Sequence, residues 1–214
     1  MATSYDAFLG NVMPHVNGCS RTIALDAVRD ATIALCKKGR IWMEELTPIN
    51  GVLGQASYSF VTPAGSVVST ILQAFYSGKE IFPIDIDSAN QYYLNWLTIT
   101  GQPKHYTQFN ERAIRLIPIP QEALTAGIKL IAALEPTKTS TTVEDRIYEE
   151  YDNVVATGAL AYLLLMPKTP GREWPDAQLG AINAAKFQDS IDMARSRSNK
   201  SYVRSRKRVK GVFF

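Results

Sequence analysis

Two histidines, two cysteines and no apolar run long enough to cross a membrane leave this 214-residue sequence short of the materials for most familiar site chemistries. His15 and His105 have no Cys, Asp or Glu at ligand spacing, and a metal site needs several such ligands to converge, so no metal is expected. Cys19 and Cys36 are too few for a disulfide framework. Both lie in or beside apolar helical patterns, which predicts buried free thiols and fits a reducing compartment. No Gly-rich strand-to-helix loop precedes a Lys-Ser or Lys-Thr pair, so nothing here cradles a phosphate; Gly51 and Gly54 mark a turn. The N-terminus shows no basic-then-apolar signal. The longest apolar run, residues 154–166, is broken by Thr157 and Gly158. As a helix it would span about 20 Å, against the roughly 30 Å of a bilayer core, so no membrane span is expected.

Carboxylates make no better case for catalysis. Asp85 and Asp87 come nearest to a pair, yet in a Pro- and Ile-rich loop they read as a turn residue and a helix cap. Glu144, Asp145, Glu149 and Glu150 suit the positive end of a helix dipole. The sequence argues against an enzyme and calls for no cofactor.

What is present is an ordinary apolar fraction, 46%, with 20% charged residues. At this length one domain is expected, or one domain carrying an insertion, with a core large enough to need no staple. The net charge of +3 hides an asymmetry: residues 195–214 hold eight cations and no acid, which leaves the other 194 residues at −5. An acidic body carries a basic tail.

Along the chain, Ser4 can cap a short helix with Phe8, Leu9 and Val12 on one side, and Ser20 caps the next, where Ala24, Val28, Ala31 and Leu35 form a stripe. Lys37, Lys38 and Gly39 signal its end, although the pattern can run to Trp42. From about Glu44 the period changes. Residues 56–60 alternate as a half-buried strand, residues 67–76 and 79–82 form a hairpin across Ser77-Gly78, and residues 87–97 form a short aromatic helix. A second hairpin joins residues 105–109 to 113–117, and residues 128–135 give a last strand. Residues 141–166 are the main helix. Thr141 and Glu144 form a capping box, and Val143, Ile147, Tyr151, Val154, Gly158, Tyr162 and Leu165 form one apolar side. Pro175 opens a final helix whose small-residue stripe, Ala177, Ala181 and Ala184 with Phe187, Ile191 and Ala194, suits the Gly/Ala face of the main helix.

The tail mixes cations with apolar residues. A purely solvated tail has little use for Tyr202, Val212, Phe213 and Phe214. Cations interleaved with aromatics suit nucleic acid, through phosphate pairing and stacking, or an acidic groove on another protein.

In order and spacing, several segments resemble one family. They are Leu9-x-x-Val12-Met13-Pro14 with Gly18-Cys19, residues 27–31 (AVRDA) with Cys36, and Ile41-Trp42. Gly101-x-Pro103 with Tyr106, Leu116-Ile117-Pro118 with Pro120, and Leu134-x-Pro136-Thr137 follow. The last are Gly158-Ala159-Leu160 with Leu163-Leu164-x-x-Pro167, then Trp174 with Phe187. Together they are similar to the head-to-tail adaptor (connector) proteins of tailed bacteriophages. The resemblance implies an α+β fold: a helical bundle from N- and C-terminal helices, an inserted antiparallel β domain and an extended C-terminal tail. The expected parts are residues 1–43 and 141–198 for the bundle, 44–140 for the insertion and 199–214 for a docking tail. It further implies a structural virion protein without cofactor, made in the host cytoplasm. Twelve copies would form a ring at the head–tail junction, between the portal protein and the tail or nozzle proteins. DNA would pass through its channel without specific binding, since an acidic body repels phosphates. The residues expected to dock on the portal are Tyr202, Arg204, Arg206, Lys207, Arg208, Lys210, Val212, Phe213 and Phe214. The alternative is a nucleic-acid-binding module using the same tail.

Overall fold

The computed structural model describes residues 2–199. In chain order its elements begin with β1 (Ala2–Ser4), α1 (Leu9–Val12) and α2 (Arg21–Gly39). Then come β2 (Met43–Glu45), β3 (Ile49–Gly51), β4 (Ser57–Ser59), β5 (Ser66–Tyr76), β6 (Lys79–Pro83) and α3 (Ile86–Tyr92). They continue with β7 (Thr100–Gly101), β8 (His105–Asn110), β9 (Ala113–Ile117), β10 (Ile119–Pro120) and β11 (Leu124–Pro136). Finally come β12 (Thr142–Glu144), α4 (Asp145–Leu164) and α5 (Ala177–Asn199). The chain divides into two units, one of Met1–Ala7 with Trp42–Glu150 and the other of Phe8–Ile41 with Tyr151–Phe214.

The first unit is built on an eight-stranded sheet ordered β2-β11-β5-β6-β8-β9-β4, with β3 also pairing β11. Its axis is the long antiparallel pair β11–β5, running in register from Ile128 opposite Tyr76 to Pro136 opposite Ser66 with two shifts between. These strands are rich in Val, Ile and Leu, which fit a pleated, buried surface. Alternation predicts one covered face for β11. Instead Ala132, Ala133, Leu134 and Glu135 are all buried, so both faces are covered over that stretch. The β5–β6 turn is the expected one: Ser77 and Gly78 have φ of 51° and 74°, the double positive φ that a tight two-residue hairpin requires.

The second unit holds the long helices α2 and α5 and most of α4. Ser20 caps α2 as expected, its hydroxyl accepting the Ile23 amide at 3.3 Å. The helix ends at Gly39, short of Trp42, because Arg40 turns left-handed at φ 52° and its amide closes on Cys36. The start of α5 lies two residues beyond Pro175, where the Asp176 carboxylate accepts the Leu179 amide at 3.0 Å. On α4, Ile147, Tyr151, Val155, Ala159 and Leu163 are buried, whereas Tyr162 and, just past the helix end, Leu165 of the expected apolar side are half exposed.

The expected fold class is overturned. The chain is mixed α+β and dominated by its sheet; the helices do not form a terminal bundle with an antiparallel insertion. The first described strand already belongs to the β unit, β1 pairing antiparallel with β12 from Ala2 opposite Glu144 to Ser4 opposite Thr142. That pairing claims the backbone expected to carry the Thr141 capping box, and the helix starts at Asp145. The β region is not wholly antiparallel, since β6 runs parallel to β8 and β10 parallel to β7. Nor does α5 bury a bundle-width stripe. Gly180, Phe187, Ile191, Ala194 and Ser198 are its buried residues, and the expected stripe members Ala177 and Ala181 are exposed. Helical periodicity locates a helix but does not say what it packs against.

Candidate functional site

Two surfaces, one on each unit, present groups that a partner could use. On the β unit the Asp85 carboxylate accepts both the Ser88 amide and the Ser88 hydroxyl at 2.8 Å and so caps α3. These bonds, the backbone one first, hold the Asp85 carboxyl below the usual carboxylate range. It is a capping group, with its charge committed to the helix start.

Beneath α3, Ala89, Trp96 and Ile117 form a small core with Ile84 and Tyr93 against it. The Trp96 indole donates to Asn90 Oδ1 at 2.7 Å and stacks on Phe109 with centroids 6.5 Å apart. Arg115 lies over the same indole, 5.5 Å from its centroid, and donates to the Leu97 carbonyl at 2.6 Å. Tyr93 and His105 Nδ1 share a hydrogen bond of 2.7 Å. Burial, then the neighbouring Lys104, holds His105 below the usual histidine range, so at neutral pH it is an uncharged packing residue. Around this cluster Phe82, Ile86, Tyr92, Leu94, Leu97 and Phe109 stand exposed, Leu94 by 87%. So many large apolar side chains in residues 82–109 mark an interaction surface more readily than scattered exposure does.

On the second unit a groove of about 480 Å3 is lined by Ile23, Asp26, Ala27 and Asp30 of α2 together with Tyr162, Met166 and Arg172. The four α2 positions share one helix face, by their spacing of three and four. The lining mixes apolar side chains with two carboxylates and the Arg172 guanidinium, and Asp26 pairs with Arg29 at 2.9 Å. Cys19 and Cys36 are both buried, as expected. Burial pushes the Cys19 thiol up, with Arg172 partly offsetting it, so this thiol is a packing group.

The candidate docking residues Tyr202, Arg204, Arg206, Lys207, Arg208, Lys210, Val212, Phe213 and Phe214 lie outside the described residues. The two surfaces above were not anticipated from the sequence. Their signal was present as apolar residues at positions expected to be buried, Tyr162 on α4 and Leu165 just past its end, and the aromatics around α3. Among the described residues no group of three or more His, Cys, Asp or Glu could hold a metal ion. No described helix is long and apolar enough to cross a membrane.

No curated protein matches the chain. The description of a family as SU10 adaptor protein, by contrast, fits it over residues 3–209, nearly its whole length. That match makes the chain a structural phage protein of the virion: it belongs to the SU10 adaptor protein family.

Proposed function

We propose that copies of this chain close into a ring, twelve being the number the resemblance implies, that docks on the portal vertex and joins capsid to tail. The ring surrounds the channel through which DNA leaves, and its other face meets the tail or nozzle proteins. The observation that carries this reading is the family match over residues 3–209. A ring needs two different, mutually complementary surfaces on each subunit, and both units offer exposed apolar groups for such contacts. The charge of −5 outside residues 195–214 favours passage of DNA over its retention.

Portal docking falls to residues 199–214, with Arg204, Arg206, Lys207, Arg208 and Lys210 supplying charge and Tyr202, Val212, Phe213 and Phe214 supplying apolar area. Each phenyl ring fully buried on the portal contributes roughly 2 kcal/mol, and copy number multiplies the effect through avidity. The family match runs into this segment as far as residue 209, which supports counting it as part of the functional chain. The alternative, a nucleic-acid-binding module, rests on the cations and aromatics of the tail and gains no support from the family.

The test is electron microscopy of portal rings mixed with the full chain or with a chain lacking 199–214. The full chain should give a twelvefold layer on the portal and the shortened chain none, with its thermal unfolding unchanged. Full occupancy by the shortened chain would end the docking role of the tail; a bare portal with the full chain would end the adaptor-ring reading itself.

A further inference from the structure

The groove between α2 and the end of α4 matches, in charge and in spacing, the segment that follows α5. The Ser198 hydroxyl donates to the Arg40 carbonyl at 2.7 Å, which places the end of α5 beside the end of α2. From there Asp30 lies about 15 Å and Asp26 about 21 Å back along α2, at 1.5 Å per residue. A chain leaving Asn199 in extended form places residues 204–210 at roughly 17 to 36 Å and residues 213–214 at up to about 50 Å. The cations of that segment therefore come level with the two carboxylates, and Phe213 and Phe214 reach the apolar walls at Ile23, Tyr162 and Met166 with slack to spare.

We propose that in the unassembled protein residues 200–214 fold back into this groove of their own chain, where Asp26 and Asp30 face the cations and the two terminal phenylalanines fill the apolar end. Exposed ion pairs are individually weak, so tethering supplies the occupancy: a segment joined to the groove by a short linker is present at millimolar effective concentration. Arg172 in the lining, with Lys37 and Lys38 near the start of the path, opposes the cations, which makes the latch releasable. Filling the groove keeps two phenyl rings out of water until a better site presents itself. This goes beyond the ring reading and stands without it.

The test is photo-crosslinking of the full chain carrying Phe213→p-benzoylphenylalanine at low micromolar concentration, followed by peptide mapping. Crosslinks should join residue 213 to peptides containing Ile23 to Asp30 or Tyr162 to Arg172, within species of monomer mass. Asp26→Lys with Asp30→Lys should lower that yield at least fivefold while the circular dichroism melt stays put, since both residues are exposed. Crosslinks mapping elsewhere, appearing only between two chains, or persisting at full yield in the charge-reversed chain would each overturn the proposal.

Discussion

Gly158 of α4 lies against the ring of Phe187 of α5 so closely that a Cβ added there would stand 2.7 Å from ring carbons Cε2 and Cζ. The glycine is the condition of that helix contact. Alanine is the better helix former by about 1 kcal/mol, but forcing a methyl into a packed contact costs about 1–3 kcal/mol. Gly158→Ala should therefore lower stability by roughly 1 kcal/mol, or about 2–4 °C in melting temperature. Adding Phe187→Leu should recover part of that loss. A melting temperature that rises in the single variant would show that the ring moves aside freely.

Two candidate caps of similar appearance should behave differently. Ser20→Ala removes the bond to the Ile23 amide and should cost about 1 kcal/mol in urea unfolding. Thr141→Ala should stay within about 0.5 kcal/mol, because no helix begins there and the residue is exposed. Equal losses at the two sites would restore the capping box that β12 replaces.

Trp96 should be a sensitive position of the β unit. It fills the core beneath α3, stacks on Phe109 and lies under Arg115. Trp96→Ala should cost about 3–5 kcal/mol, and Trp96→Phe considerably less, by denaturant titration. Similar losses for the two would mean that the bond to Asn90 dominates over packing.

The Glu144 carboxyl is pushed above the usual carboxylate range, chiefly by burial, with Arg146 offsetting this and Glu44 adding to it. The folded chain thus holds this proton more tightly than the unfolded chain. The resulting stability is full below the unfolded pKa, is lost as pH rises through the folded one, and does not change further above it. Glu144→Gln should remove that decline and leave the protein slightly more stable at pH 7. Stability curves that stay parallel between pH 4 and 7 would refute the assignment.

Much of the local structure was legible because its causes are local. Ser20 caps whatever helix follows it, Asp85 does the same for α3, and Ser77-Gly78 can adopt the double left-handed turn that joins β5 to β6. The short strands β2, β3, β7, β10 and β12 were not legible, being two or three residues long and therefore without a period. They exist because a partner strand offers its edge. Of the candidate docking residues, none lies in the described part of the chain, and the two exposed surfaces of the described part came from the fold alone.

By itself the sequence determined roughly where most helices and both hairpins lie, the low supply of ligand-forming residues, the split between an acidic body and a basic end, and the adaptor family. Only the tertiary structure decided that Ala2–Ser4 joins the β unit, that β11 is covered on both faces, and that α5 packs by a narrow strip. It also decided that Asp26 and Asp30 share a groove with Tyr162. Caps, turns and charges act within a few residues of themselves, whereas strand pairing and burial depend on which distant segment comes to lie alongside, and a single sequence does not record that neighbour.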